Sequence, residues 1–221
     1  MNVRQLIKER HSVRKFMDLP IDEDAKEKLD ELVETINKDT DLHIQMIYDE
    51  PDCFKSFIPN YGRFKNVNNY IALVGHKSID NLEVKCGYYG EKIVLYAQDM
   101  GLNTCWVGGT FSRGKCWATI SPGEKLVCVI AIGYGETEGT PHKSKKAHQL
   151  CNVSEDEMPL WFKNGLVAAK LAPTAMNQQK FYITLFDDEV TIKPTTIGPF
   201  VKTDLGIVKY HFEAVSGHEC L

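Results

Sequence analysis

Three stretches of this chain set chemically useful side chains where a loop can present them. RHSVRKF (10–16) spaces Arg10, Ser12 and Arg14 on alternate residues just past a short helix, with His11 between. In an extended backbone, alternation sends two guanidinium forks and a hydroxyl to one side, a set suited to an anion. MGLNTCWVGGTF (100–111) ends on Trp106, Val107, Gly108 and Gly109; adjacent glycines let backbone N–H groups come close to a flat ligand. PHKSKK (141–146) adds Lys143, Lys145 and Lys146 as counter-charges for a phosphate. Each stretch also has a plainer reading: a solvated charge pair, a tight loop, a solvated lysine run. A fourth, LAPTAMNQQKFYITL (171–185), wedges Pro173-Thr174-Ala175-Met176-Asn177-Gln178-Gln179 between a helix end and an alternating strand.

The elements that must position these residues follow from hydrophobic periodicity. Asn2 and Gln5 cap a short helix that ends near Arg10–His11. Asp22-Glu23-Asp24 opens a second helix, on which Leu29, Leu32, Val33 and Ile36 recur at i, i+3, i+4 and i+7. His43–Tyr48 and Asn69–Val74 read as strands. GYYGEKIVLYAQDMGL (87–102) reads as a helix with a stripe of Gly90, Ile93, Val94, Ala97 and Met100, capped at Gly101. Leu126–Ile132 is a continuous apolar run, the mark of a strand covered on both faces. After residue 158 a helix must stop near Pro173, since the residue before proline disfavours the helical region. Phe181–Phe186 and Val190–Lys193 predict a hairpin around Asp187-Asp188-Glu189, and Asp204–Val215 a closing amphipathic helix. Residues 27–50 loosely echo 162–189, and 86–97 echo 203–214, as an internal duplication about a pseudo-twofold axis would.

Composition narrows the function classes. At 221 residues the chain can bury one sizeable core, or two small halves sharing one. A formal net charge of −4 argues against nucleic acid as the main partner. No apolar run approaches the roughly 20 residues of a membrane span, and the charged amphipathic start is no signal peptide. Seven cysteines at unpaired spacings read as reduced thiols and predict a cytoplasmic location. His142, His148 and Cys151 fit no common zinc spacing, so no metal is expected. Gly133-Tyr134-Gly135 lacks the third glycine of a dinucleotide fingerprint.

Taken together, the four stretches resemble the flavin-dependent nitroreductases, and in particular a small single-chain branch of that family. Arg10-His11-Ser12-Val13-Arg14 stands where the family's Arg-(Arg/His)-Ser-x-Arg motif grips the FMN phosphate, ribityl chain and pyrimidine edge. Gly101–Gly109, with Trp106, Val107, Gly108 and Gly109, stands where the family wall lies beside flavin N5. Lys143 and Lys145 match a phosphate-binding basic pair, the choice between Lys145 and Lys146 being open. Pro173, Thr174, Ala175, Met176 and Asn177 match a Pro-Ser-x-x-Asn-x-Gln segment that ordinary members carry early and reach across a dimer interface with. Lys180 and Phe181 replace the Pro-Trp that follows it there.

The resemblance implies an α+β fold, a central and mostly antiparallel sheet flanked by helices, with pseudo-twofold internal duplication. It implies a single domain over 1–221 in which one chain imitates a dimer, residues about 1–150 and 151–221 being its pseudo-halves. One FMN per chain is expected, with no homodimer required to build the flavin site. It further implies an oxidoreductase in which NADH or NADPH passes hydride to flavin N5, and a nitroaromatic, quinone or enone-like acceptor then takes it in a ping-pong cycle. No side chain need act as acid or nucleophile, because the flavin carries the chemistry. Selectivity for this small-molecule partner is expected in residues 50–66. A non-catalytic FMN-binding protein, for storage or sensing, is the alternative.

Overall fold

A computed structural model describes residues 2–55 and 64–221. In chain order the elements are α1 (Val3–Glu9), α2 (Glu23–Thr40), β1 (Gln45–Ile47), β2 (Asn69–His76), α3 (Leu82–Asp99), β3 (Asn103–Val107), β4 (Glu124–Gly133), α4 (Leu160–Ala169), β5 (Phe181–Phe186), β6 (Glu189–Pro194) and α5 (Val201–Ser216). They fall into two compact units. One is built from Arg10–Leu82 and Ile93–Thr140; the other from Met1–Glu9, Glu83–Lys92 and Pro141–Leu221.

The first unit is organised by a four-stranded antiparallel sheet of order β1-β2-β4-β3. Its two middle strands, NYIALVGH and EKLVCVIAIG, bury nearly every residue, as the continuous apolar run predicted. On α2 the predicted face is realised, with Leu29, Val33 and Ile36 buried, and Glu23 and Asp24 sit in the first turn where the helix dipole favours acid. β3 was not read from sequence: NTCWV follows α3 after a cap at Gly101 (φ 78°) and pairs antiparallel with Val129–Gly133.

The second unit rests on helix packing and a hairpin. Phe162 of α4 meets Phe212 of α5 edge-on at 5.6 Å, and a Cβ at Gly165 would run into the Phe212 ring. In the 83–92 part of α3, Gly87 lies against the Thr203 carbonyl, and Gly206 of α5 lies against that of Val84, so the two backbones touch. Fully buried His211 faces the Ala168 carbonyl with Nδ1 at 3.0 Å and Glu91 with Nε2 at 2.9 Å. A carbonyl only accepts, so Nδ1 carries a proton, and one further proton lies between Nε2 and the carboxylate. The β5–β6 hairpin turns through Asp187 and Asp188, both at positive φ, the two-residue turn that matches strand twist. α3 begins at Leu82, earlier than the sequence stripe indicated, because Leu82 and Cys86 extend its buried face.

Candidate functional site

The arginine segment is held by its main chain. Val13 N–H donates to the Thr104 carbonyl at 3.0 Å, and Ser12 bridges to Thr104 in parallel, so the segment covers the outer edge of β3. Farther on, Phe16 N–H donates to Lys65 O, Lys65 N–H to Arg14 O, Met17 N–H to Tyr134 O and Glu136 N–H to Lys15 O, all between 2.8 and 3.0 Å. Val13 and Phe16 anchor the strip in the core. Their burial leaves Arg14 exposed and Ser12 half-buried, while Arg10 is 3 % exposed. Arg10, Ser12 and Arg14 all act on the Cys105 thiol of β3, which burial nonetheless pushes above the ordinary thiol range. Main-chain bonds thus dock the segment on β3, with Arg10 buried and Arg14 exposed.

The Gly-rich stretch 133–139 supports that segment, a role the sequence reading did not assign. Gly135 N–H donates to Asn103 Oδ1 at 2.8 Å, and a Cβ there would come 2.6 Å from that oxygen. Gly139, at φ +74°, packs its backbone against His11, where a Cβ would sit 2.8 Å from the His11 Cβ. Trp106 and Val107 close β3, Gly108 and Gly109 follow it, and nothing lies within 4 Å of the place a Gly109 Cβ would occupy. Two guanidinium groups, a hydroxyl and an uncrowded glycine backbone form a donor set that fits the phosphate and flat ring of FMN. Of the expected selectivity segment 50–66, residues 56–63 lie outside the described residues.

In the other unit the late turn and the lysine stretch come together. Gln179, 3 % exposed, is the hub. Its Oε1 accepts Lys145 N–H at 2.8 Å; its Nε2 donates to the Lys143 carbonyl at 2.9 Å and to Asn177 Oδ1 at 2.7 Å. Lys145 Nζ donates to the Gln179 carbonyl at 2.8 Å, and Asn177 Nδ2 to Lys143 O at 2.9 Å. Thr174 Oγ1 receives Gln179 N–H at 3.1 Å. Asp204, in the first turn of α5, accepts Ala175 N–H at 3.0 Å and Gln178 Nε2 at 2.7 Å.

These ties hold Met176, Asn177 and Gln179 at φ 52°, 52° and 44°, a region non-glycine residues seldom adopt. Pro173 is buried and Met176 is 84 % exposed at the tip. Lys145 is bound to the turn, whereas Lys146 is exposed and caps the short 3-10 turn that follows. The exposed Lys143 ammonium and the spare hydrogens of Lys145 fit a phosphate, while the Asn177 amide is engaged within the turn. Sequence reasoning missed Asp204; its signal was an acid in the first turn of a helix. Burial drives its carboxyl up to about 6 against the lowering effect of its two hydrogen bonds.

Among the described residues no group of three or more His, Cys, Asp or Glu side chains is arranged to hold a metal ion, and no helix is long and apolar enough to cross a membrane.

Comparison with known proteins adds the following. Residues 2–216 match the family model described as "Putative TM nitroreductase". A solved structure from Thermotoga maritima, described as a putative nitroreductase, is 26 % identical, with a TM-score of 0.69 over 97 % of this chain and 83 % of that one. A putative NADH dehydrogenase/NAD(P)H nitroreductase from Bacteroides thetaiotaomicron shares the fold at 20 % identity and a TM-score of 0.54, over 67 % of this chain and 95 % of that one. A protein of the same description from Parabacteroides distasonis, also 20 % identical, gives 0.52 over 68 % and 96 %. Among curated proteins none matches the chain significantly.

Proposed function

The chain belongs to the nitroreductase family that this model describes, and from that premise we propose that it is an FMN-dependent oxidoreductase. It takes reducing equivalents from NADH or NADPH and delivers them to nitroaromatic, quinone or enone-like acceptors. The single observation that carries the reading is the docking of the Arg10–Arg14 segment along β3, Val13 N–H on the Thr104 carbonyl and Ser12 bridged to Thr104, which brings the charge of both arginines to the strand that ends in Gly108 and Gly109. When bound, FMN supplies hydride exchange at N5 between the nicotinamide and the acceptor.

The chain's own residues bind and orient. Arg10 and Arg14 supply fixed positive charge for the phosphate and the pyrimidine edge, and Ser12 a hydroxyl for the ribityl chain. The backbone N–H groups after Val107 hold the ring. Lys143 and Lys145 add cationic donors, on a loop whose shape Gln179 and Asn177 fix. One FMN is bound per chain, and no partner subunit is required for it.

The test is the purified protein's visible spectrum and turnover. A yellow protein with one FMN per chain, bleached rapidly by NADH or NADPH and reoxidised by menadione or nitrofurazone, is expected. Arg10→Ala and Asn177→Ala should each weaken FMN retention by about ten- to a hundredfold, the typical consequence of losing a charge-assisted or structural hydrogen bond. Two fully yellow variants would overturn the assignment. A yellow protein that nicotinamide leaves unbleached would identify a flavin-binding protein without turnover.

A further inference from the structure

All seven cysteines are free thiols, and two of them lie on adjoining turns. Cys53 sits in a short 3-10 turn, Asp52–Phe54, and Cys116 directly follows another, Arg113–Lys115. Both turns belong to the sheet-bearing unit. Ser112 N–H donates to the Cys53 carbonyl at 2.8 Å, and Cys116 packs against the apolar cluster that contains Cys53, Tyr70 and Phe111.

A polar frame fixes the two backbones around the thiols. Glu50, fully buried, accepts the N–H groups of Asp52 and Cys53 through Oε1 at 2.6 and 3.1 Å. Its Oε2 accepts the hydroxyl of fully buried Tyr70 at 2.7 Å, and that hydroxyl in turn accepts Trp117 N–H at 2.9 Å. One carboxylate and one phenol thus pin both the Cys53 backbone and the residue after Cys116. Within this frame Cys116 packs against the cluster that holds Cys53, and each thiol is the leading influence on the other's acidity. They are not equivalent. Cys53 is sealed in the core, whereas Cys116 is half-buried and in reach of solvent.

Their acidities part in the same sense. The Cys53 contact and the Ala118 backbone N–H hold the Cys116 thiol below the ordinary range, against its partial burial. Contact with Cys116, then burial, push Cys53 far up. A thiolate is the form that attacks peroxide, so the accessible member is the reactive one.

We propose that Cys116 and Cys53 form a hydroperoxide-oxidisable dithiol, Cys116 reacting first and Cys53 resolving it as a disulfide. The Cys116 thiolate attacks a peroxide oxygen; an S–O bond forms, the O–O bond breaks, and an alcohol (water, from hydrogen peroxide) leaves with the proton. Cys53 sulfur then attacks that sulfenic sulfur; the S–S bond forms, the S–O bond breaks, and water leaves carrying the Cys53 proton. Two thiols and one hydroperoxide become one disulfide, one alcohol and one water. The bridge joins the turn at 52–54 to the loop at 113–116.

The experiment treats the reduced full-length protein with hydrogen peroxide, alkylates the remaining thiols and maps the peptides by mass. A linked Cys53–Cys116 peptide, lost on treatment with dithiothreitol, is expected, with Cys86, Cys105, Cys128, Cys151 and Cys220 still alkylated. Cys220 is the internal control: also half-buried, its thiol is pushed up to about 12 by burial. Cys116 should react at least about tenfold faster than it. Cys53→Ser should accumulate a dimedone-reactive sulfenic acid at Cys116, and Cys116→Ser should form no bridge. Alkylation of Cys116 in the peroxide-treated protein, or a bridge between other cysteines, would overturn the proposal. The wild-type peptide map decides this even where a variant folds poorly.

Discussion

In the arginine segment the main chain makes the structural bonds, with Val13, Phe16 and Met17 N–H groups donating to carbonyls of Thr104, Lys65 and Tyr134. In the late turn the side chains do so, Gln179, Asn177, Lys145 and Asp204 satisfying backbone groups that no strand or helix reaches. The difference decides what a substitution can mean. A backbone-held segment can change a side chain and keep its course, so its arginines are available for ligand chemistry. A side-chain-held turn ties binding to folding, since the same amide cannot be removed without releasing a loop whose non-glycine residues sit at positive φ.

The largest effect is expected from the element beneath the turn. Asp204 rides on α5, and α5 lies where Gly206 touches the Val84 carbonyl and its missing Cβ would come 2.7 Å from Tyr88 N. Neither neighbour is a flexible side chain. Gly206→Ala should therefore cost about 3 kcal/mol, the upper end of overpacking penalties, and carry Asp204 away from Ala175. Urea unfolding and limited proteolysis across 174–179 measure both consequences. A variant as stable and as resistant as wild type would break the claim that helix contact sets the turn.

Next comes the hub itself. Gln179→Ala strands the Lys145 amide, which loses its acceptor, and deprives the Lys143 carbonyl of one of two donors. An unsatisfied buried group costs about 1–3 kcal/mol, so a loss of about 2 kcal/mol is expected. Amide hydrogen exchange at Lys145 should accelerate selectively. Unchanged protection there would show that the turn does not depend on this side chain.

How much of this was legible in the sequence follows the same division. α2, β4 and the β5–β6 hairpin were legible because their signals are local: a stripe at i, i+3, i+4 and i+7, an unbroken apolar run, two acids between alternating strands. Cys105 and its neighbours in β3 carry no such signal, since that strand exists through pairing with β4, far along the chain. The site motifs were legible as residue types, and the segment that carries Arg10, Ser12 and Arg14 docks on β3. Hidden from sequence were the partners. Whether Lys145 or Lys146 joins the turn is settled by Gln179, Asp204 meets Ala175 across 29 positions, and Gly139 has meaning only against His11.

The pH dependence of Asp204 sharpens the contrast. Its carboxyl is raised by burial from 3.8 to about 6, so the folded chain holds that proton more tightly than the unfolded one. The sign follows: this contribution is fully present below pH about 4 and is lost as pH rises through about 6, at a cost of about 3 kcal/mol by neutrality. Asp204→Asn keeps an acceptor for Ala175 N–H and has no charge to bury. Relative to wild type it should gain stability between pH 4 and 7 and stay level above. Parallel stability–pH curves for the two proteins would exclude a buried, proton-hungry carboxyl under the turn.

The smallest effect on folding, and the cleanest on binding, belongs to Arg14. Its side chain is exposed and its backbone carbonyl makes the bond to Lys65 N–H, which Arg14→Ala leaves in place. Unfolding free energy should shift by less than about 0.5 kcal/mol, as for surface positions away from caps and cores. Loss of one guanidinium donor should nonetheless weaken FMN retention by about tenfold. Fluorescence of released flavin against urea midpoint, on the same preparations, separates the two quantities. Should the midpoint fall together with retention, as expected for Gln179→Ala, the arginine segment would be held by its side chains after all, and the two regions would be built alike.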